Sequence, residues 1–310
     1  MNIQYSVIIP HKNCLDLLLR CVNSIPDRDD IEVIVVDDYS NNQDTVKNEI
    51  EALNRQNVIV VLAQKSGGGG YARNQGLKIT RGKWLLFSDS DDYFIESAFD
   101  TFDKYSEEKD DIIFFKHIGI ISNTGEIVPR SEYRNVIIDN YLKEKTSRSE
   151  AFMRYNNAVP WAKMIRHSLV EEYAIDFEEV PASNDTMFST KIGHFARSIA
   201  ASNDVVYIAT VRRGSITHTK SRERYYSDFA VYVRRNSFLL GCSHSECQTR
   251  IFGQVVYAFM KYGISEGIKY IRYARQYNVS FLYGAGQTIS ESMGKGIRKL
   301  FKTDKYTIKK

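Results

Sequence analysis

Two hydrophobic periods alternate along the first hundred residues. YSVIIP (5–10) is a short β-branched run that closes at a proline, and CLDLLLRCVNSI (14–25) sets Leu15, Leu18, Leu19 and Val22 on one helical face. IEVIVVDD (31–38) predicts a second strand and residues 44–54 a second helix. NVIVVLA (57–63) predicts a third strand, YARNQGLKI (71–79) a helix entered through glycines, and KWLLFSD (83–89) a fourth strand. Strands apolar on both faces and alternating with helices belong to a mostly parallel sheet covered on both sides. Ligands of such sheets bind beyond the carboxyl ends of the strands. The polar residues cluster there: Pro10-His11-Lys12-Asn13, Asp37-Asp38, Gly67 to Arg73, and Asp89 to Asp92. Four strand ends are thus expected to converge on one crevice.

After about residue 110 the pattern changes. DIIFFKHIGIIS (111–122) predicts a strand, with a turn at Asn123-Thr124-Gly125 leading into another. Residues 147–155 and 184–196 read as helices and NDVVYIAT (203–210) as a strand. From Tyr225 through Tyr277 aromatic and aliphatic residues recur at helical spacing, which predicts packed tyrosines and a boundary near 220.

Composition narrows the class. Of 310 residues, 43% are hydrophobic and 26% charged, with only 5 prolines, as in a folded globular chain without long linkers. The N-terminus has no basic segment followed by an apolar core, and no run approaches a membrane span, so a cytoplasmic protein is expected. Cys14, Cys21, Cys242 and Cys247 then read as reduced thiols, and the Cys242-His244-Cys247 spacing does not suit zinc. Charge is uneven: residues 1–110 carry 12 Lys/Arg against 19 Asp/Glu, whereas residues 111–310 carry 30 against 19. The stretch 294–310, GKGIRKLFKTDKYTIKK, has seven basic residues and one acid. It suits an anionic membrane surface, or equally a solvated terminus. The basic residues form no aromatic-interleaved binding motif and the N-terminal part is acidic, so no nucleic-acid partner is expected.

The candidate chemistry sits at the strand ends. Asp89-Ser90-Asp91 is a D-x-D at the mouth of a strand, followed at once by Asp92. Carboxylates this close repel unless a cation lies between them. Two aspartates cannot cage Mg²⁺ or Mn²⁺ alone, so the motif predicts an open cation completed by a diphosphate. An Asp-rich turn or a helix cap by Asp91 or Asp92 is the competing reading. Ser66 followed by Gly67 to Gly70 before a helix can cradle phosphate on backbone N–H groups or be a plain loop. Asp37-Asp38 can accept from a nucleotide's base or ribose, or form a turn with Ser40, Asn41 and Asn42.

Taken in order, VIIPHKN, VIVVDDYS, GGGGYARNQGL and WLLFSDSDDYF resemble the inverting family 2 glycosyltransferases with the GT-A fold, an α/β architecture with a Rossmann-like sheet. WAKMIRHSLV (161–170), FEEVPASNDTMF (177–188) and RRGSITHT (212–219) stand where that family carries a W-x-K segment, a base aspartate opening a helix, and a basic segment. The resemblance covers roughly 4–219 and divides the chain into 1–220 (nucleotide-binding 1–110, acceptor-binding 111–220) and a helical region 221–310. It implies a nucleotide-sugar donor, most often a UDP-sugar, and a glycan or lipid-linked acceptor. Pro10, Asn13 and Asp38 would line the nucleoside pocket, with Arg73 facing the nucleotide. Asp89 would serve ribose or metal, and Asp91 would be the principal ligand of Mn²⁺ or Mg²⁺. Asp185 matches the catalytic base, and Trp161 and Lys163 the acceptor side.

Chemistry asks for the same division of labour. A hydroxyl attacking an anomeric carbon needs a base, and the departing diphosphate needs positive charge, here from Arg212, Arg213 or His218. Two departures from the family pattern stand out. Asn184 replaces the usual acid before the base, which makes Glu178 and Glu179 fallback bases, and the glycine run with Tyr71 is atypical. The Q-x-x-R-W segment of processive members is absent, since the only tryptophans are Trp84 and Trp161. One sugar per encounter is expected, in bacterial surface-polysaccharide synthesis. The alternative is a non-catalytic nucleotide-sugar-binding or membrane-associated assembly protein, which would keep Asp38 and Asp91 but not need Asp185.

Overall fold

The computed structural model describes residues 3–129, 131–211 and 221–288. The chain forms two compact units, Met1–Val180 with Met187–Ser215, and Pro181–Thr186 with Ile216–Lys310.

The first unit is built on a nine-stranded mixed sheet in the order β3-β2-β1-β4-β8-β6-β9-β5, with β7 paired to β6. The strands are β1 (Tyr5–His11), β2 (Ile31–Asp37), β3 (Val58–Leu62), β4 (Trp84–Phe87), β5 (Tyr93–Phe94), β6 (Ile112–Ile121), β7 (Ile127–Val128), β8 (Lys163–Arg166) and β9 (Ile199–Val211). The first four run parallel, as their largely apolar sequences predict, and two buried exceptions, Ser6 on β1 and Glu32 on β2, bond to each other at 2.6 Å. β8 then joins β4 to β6 antiparallel to both, and β9 returns parallel to β6. Between the strands lie α1 (Leu15–Asn23), α2 (Gln43–Glu51), α3 (Gly68–Leu77), α4 (Ala98–Lys104), α5 (Glu132–Glu144), α6 (Ser147–Asn156) and α7 (His167–Glu172). α8 (Asn184–Phe195) follows before β9.

Alternate residues along each strand serve opposite faces of the sheet. Tyr5, Val7, Ile9, Trp84, Leu86, Ile113 and Phe115 join one core. Ile8, Leu85, Phe87, Ile112 and Phe114 join the other. α3 lies close on β1: a Cβ at Gly76 would stand 2.6 Å from the Ile8 side chain, so only glycine admits this approach. The close approach seats the start of α3 over the strand ends.

The second unit contains α9 (Arg222–Gly241), a 3₁₀ turn at Ser245–Cys247, α10 (Phe252–Tyr262) and α11 (Ile264–Gln276). Its core packs Tyr225, Phe229, Val233, Ile251, Val255, Ala258, Tyr270 and Ala274, so the tyrosines at helical spacing are packing residues. Among the described residues no helix is long and apolar enough to cross a membrane.

Candidate functional site

The ends of β1 and β2 are locked together by polar side chains. The buried His11 Nδ1 lies 2.8 Å from Asp37 Oδ1, and Ser40 donates to the same carboxylate from both its amide and its hydroxyl. Burial alone would raise Asp37, but these hydrogen bonds outweigh it and hold the carboxyl at about 2. Burial also disfavours an imidazolium at His11, yet the Asp37 bond raises its affinity for a proton. The Cys14 amide donates to His11 Nε2 at 3.1 Å, which fits a neutral ring with its proton on Nδ1. Asn13 adopts a left-handed φ of 52°, donates its amide to Ser40 Oγ and accepts from the Asn41 amide. Pro10, the penultimate residue of β1, lies in register with Val36.

Asp38 is buried and already occupied. Its carboxylate accepts from the amides of Gly67 at 2.7 Å and Gly68 at 3.0 Å, and from Ser66 Oγ at 3.1 Å, with Lys12 Nζ at 3.5 Å. The glycine amides that read as a phosphate cradle are therefore turned onto a carboxylate of the protein. Gly68 takes a φ of 82°, where a side chain would be strained. Two turns of α3 follow, with Arg73 donating to Asp89 Oδ1 at 2.5 Å. Asn74, the next residue of α3, brackets the backbone of Phe177, donating to its carbonyl and accepting from its amide, and reaches Glu179 at 3.2 Å. Glu179, a fallback base, is engaged by that contact.

The segment after β4 explains why three aspartates tolerate one another. Asp92 is buried and ties back to β9: Oδ1 accepts from the Thr210 amide at 2.6 Å and Oδ2 from the Tyr207 hydroxyl at 3.0 Å. It therefore caps no helix; α4 begins only after Ser97. Tyr207 Oη in turn accepts from the Asp89 amide at 3.0 Å. The carbonyl of Asp91 receives Thr210 Oγ1 at 2.7 Å and Arg20 at 2.6 Å. One acid is thus paired to Arg73, one is buried in hydrogen bonds, and Asp91 stands between them, half-buried. Burial, with Asp92 and Asp89 nearby, pushes the Tyr207 phenol well above its ordinary range, so it stays protonated and donates.

The donor set suits a hard cation. Among the described residues no group of three or more His, Cys, Asp or Glu side chains is placed to hold a metal, so a closed site is excluded there. The Asp89 and Asp91 carboxylates fit an open Mg²⁺ or Mn²⁺ whose other positions go to phosphate oxygens and water.

Trp161 and Lys163, expected on the acceptor side, are both buried. The indole stacks on Tyr207 at 5.1 Å between centroids, with the His117 ring edge-on at 4.7 Å. Lys163 Nζ donates to the carbonyls of Asn157 and Val159, each at 2.6 Å. A buried ammonium must be paired to be tolerated, so Lys163 fastens the 157–163 loop and Trp161 backs Tyr207.

Asp185 stands in the first turn of α8. The residues before it are pinned to α9: Ala182 exchanges two 3.2 Å bonds with Ser227 Oγ, and Ser183 Oγ donates to Asp228 at 2.6 Å. Ser183 pays a left-handed φ of 57° to make this entry. Arg212, Arg213, His218 and the basic stretch 294–310 lie outside the described residues. Sequence reasoning missed Arg20, Tyr207 and Thr210, and placed His11 at a strand end without a role. Only Arg20, a charge inside an apolar helix, carried a local signal.

The model of the family described as "Glycosyl transferase family 2" matches residues 6–174. Among curated proteins, the poly(ribitol-phosphate) beta-glucosyltransferase of Bacillus spizizenii is 29% identical over 215 residues, 67% of this chain and 32% of that protein. The poly(ribitol-phosphate) beta-N-acetylglucosaminyltransferase TarS of Staphylococcus aureus is 30% identical over 239 residues, 74% of this chain and 39% of TarS. The match thus spans well under half of either relative. Among solved structures, TarS 1–349 of S. aureus in complex with UDP-GlcNAc superposes with a TM-score of 0.63 at 23% identity, covering 95% of this chain and 92% of that one. The mannosyltransferase PcManGT of Pyrobaculum calidifontis, in complex with GDP-Man and Mn²⁺, gives 0.53 at 14% identity, covering 94% and 76%.

Proposed function

The chain belongs to glycosyl transferase family 2 and has the GT-A fold, and from that premise we propose that it is a metal-dependent, inverting glycosyltransferase. It takes one sugar from a UDP-sugar and places it on a hydroxyl of a cell-surface glycan, polyol-phosphate polymer or lipid-linked acceptor, working at the cytoplasmic face of the membrane. Residues 1–110 bind the nucleotide, 111–220 the acceptor, and 221–310 form a separate region whose described part is helical. The observation that carries this reading is the polar crown on the parallel strand ends. There Asp89 and Asp91 are presented by a loop held through Arg20, Tyr207 and Thr210. The relatives whose names state poly(ribitol-phosphate) glycosyl transfer and the TarS complex with UDP-GlcNAc support the donor and acceptor classes. The Mn²⁺ in PcManGT supports the cation.

In the reaction, Asp185 accepts the proton of the attacking hydroxyl. That oxygen bonds to the anomeric carbon as the bond to the diphosphate oxygen breaks, so a single displacement inverts the centre. Pro10 and Asn13 shape the nucleoside pocket, and Asp38 accepts from the nucleoside in exchange for one of its present donors. Arg73 exchanges Asp89 for the nucleotide diphosphate, which frees the carboxylate for ribose or metal. Asp91 and Asp89 would hold Mg²⁺ or Mn²⁺, which would supply positive charge for the departing diphosphate. Arg212, Arg213 and His218 are the candidate cations for the same charge.

The test is sugar transfer from UDP-sugars by wild type and Asp185→Asn, with UDP binding measured in parallel. The proposal expects transfer to fall by about 10³-fold with UDP affinity retained. A purified chain that binds UDP with its properties indifferent to Asp185→Asn, and transfers nothing, is the non-catalytic binding protein instead.

A further inference from the structure

Within the second unit, α10 and α11 form a hairpin turned at Gly263, whose φ is 92°. The hairpin is tight, since a Cβ at Gly267 would lie 2.2 Å from the Phe259 ring. The buried side of α11 consists of Glu266, Gly267, Tyr270 and Ala274. At 100° per residue, Ile264, Ile268, Arg272 and Arg275 fall on the opposite side within an arc of about 80°.

That outer side is unusual for a surface helix. Ile264 is 74% exposed and Ile268 38%, and Met260 at the end of α10 is 66% exposed. Exposed cations frame them: Lys261, Lys269, Arg272 and Arg275. Two of these are fixed by aromatic neighbours, Lys261 Nζ by the Tyr257 hydroxyl at 2.7 Å and Lys269 by the Tyr226 ring at 3.7 Å. Glu266 is the only acid between 250 and 288, and it is buried and paired with Arg222 and Lys269. The face therefore presents apolar tips among cations of which Lys269 alone is paired to the buried Glu266, so its net charge is positive.

Its charge selects the occupant. A second copy would bring the same cations against these, and the stretch 294–310 is itself basic, so neither complements the face. A soluble polyanion would match the charge but gain nothing from Met260, Ile264 and Ile268. An anionic bilayer satisfies both, with apolar side chains entering the headgroup–acyl boundary and cations on the lipid phosphates. We propose that the α10–α11 hairpin docks the protein on an anionic lipid surface through Met260, Ile264 and Ile268, with Lys261, Lys269, Arg272 and Arg275 against the headgroups. This inference does not rest on the catalytic reading.

The test is flotation of the full chain with vesicles of phosphatidylcholine alone or mixed with phosphatidylglycerol, at low and high salt. The variants are Ile264→Glu/Ile268→Glu, the conservative Ile264→Leu/Ile268→Leu, and Arg272→Gln/Arg275→Gln. Wild type is expected to float with the mixed vesicles only and to be released by salt. The glutamate pair should lower partitioning by at least about tenfold, the glutamine pair should weaken it, and the leucine pair should retain it. Because 294–310 stays intact in every variant, undiminished binding by the glutamate pair would overturn the proposal. So would equal binding to neutral vesicles, no binding by wild type, or binding to polyphosphate without vesicle binding.

Discussion

Replacing Tyr207 by phenylalanine removes one oxygen and leaves the ring in place. The ring's packing, stacked on Trp161 at 5.1 Å and edge-on to Phe94 at 5.5 Å, is unchanged by the substitution. What disappears is the junction that donates to Asp92 and accepts from the Asp89 amide, each at 3.0 Å. A hydrogen bond to a carboxylate contributes about 1.5–3 kcal/mol, and a buried donor left without an acceptor costs about 1–3 kcal/mol. Allowing for partial relaxation, Tyr207→Phe should destabilise the first unit by about 3 kcal/mol, which lowers its melting midpoint by about 6–12 °C. Both tryptophans, Trp84 and Trp161, lie in that unit, so tryptophan fluorescence during urea or thermal unfolding reports on it selectively. The Asp89-Ser90-Asp91 segment loses a tie in the same variant, so UDP affinity in Mn²⁺ should fall by about tenfold. A loss below about 1 kcal/mol with UDP affinity unchanged would refute the reasoning, because the junction would then contribute no more than an exposed hydrogen bond.

Other outcomes follow from the same geometry. Lys163→Met strands the carbonyls of Asn157 and Val159 and should cost about 2–3 kcal/mol by urea unfolding; because the ammonium is buried on those two carbonyls, the KM for acceptor should stay near wild type. Cys14 should be the cysteine alkylated first by iodoacetamide, as judged by peptide mass spectrometry, and UDP should protect it. Burial raises its thiol, but the Ser90 hydroxyl, 3.2 Å from Sγ, and the neighbouring His11 ring outweigh burial and lower it, whereas burial pushes Cys21 and Cys247 up to about 12. The folded-state carboxyl of Asp37, at about 2, lies below its ordinary 3.8. Its contribution, about 2 kcal/mol, is present above pH 4 and lost as pH falls through 2. Asp37→Asn should therefore flatten that part of the acid-stability profile.

The first four strands could be read in the sequence because a parallel strand covered on both faces is apolar at nearly every position. Such runs leave the intervening amphipathic helices little ambiguity. β5 and β8, with 2 and 4 residues, are too short to carry a period. β8 is also antiparallel between β4 and β6, an arrangement decided by tertiary pairing. At the site, residue types pointed to the strand ends but not to how the charges are settled there. The sequence shows Asp38 and the glycine run as two separate anion-related features, whereas in the fold the glycine amides close on the Asp38 carboxylate. Trp161 and Lys163 likewise look like surface chemistry in W-x-K, until Tyr207, some forty residues further on, covers the indole. Long-range partners of this kind leave no local pattern.

The central claim is a diphosphate-assisted cation at Asp91 serving a nucleotide sugar. It is tested most directly by calorimetric titration of UDP into wild type and Asp91→Ala, with and without Mn²⁺. The account predicts UDP binding that strengthens with Mn²⁺ in wild type and loses that Mn²⁺ dependence in the variant. Binding of UDP that is the same with and without Mn²⁺ and the same in Asp91→Ala would contradict it.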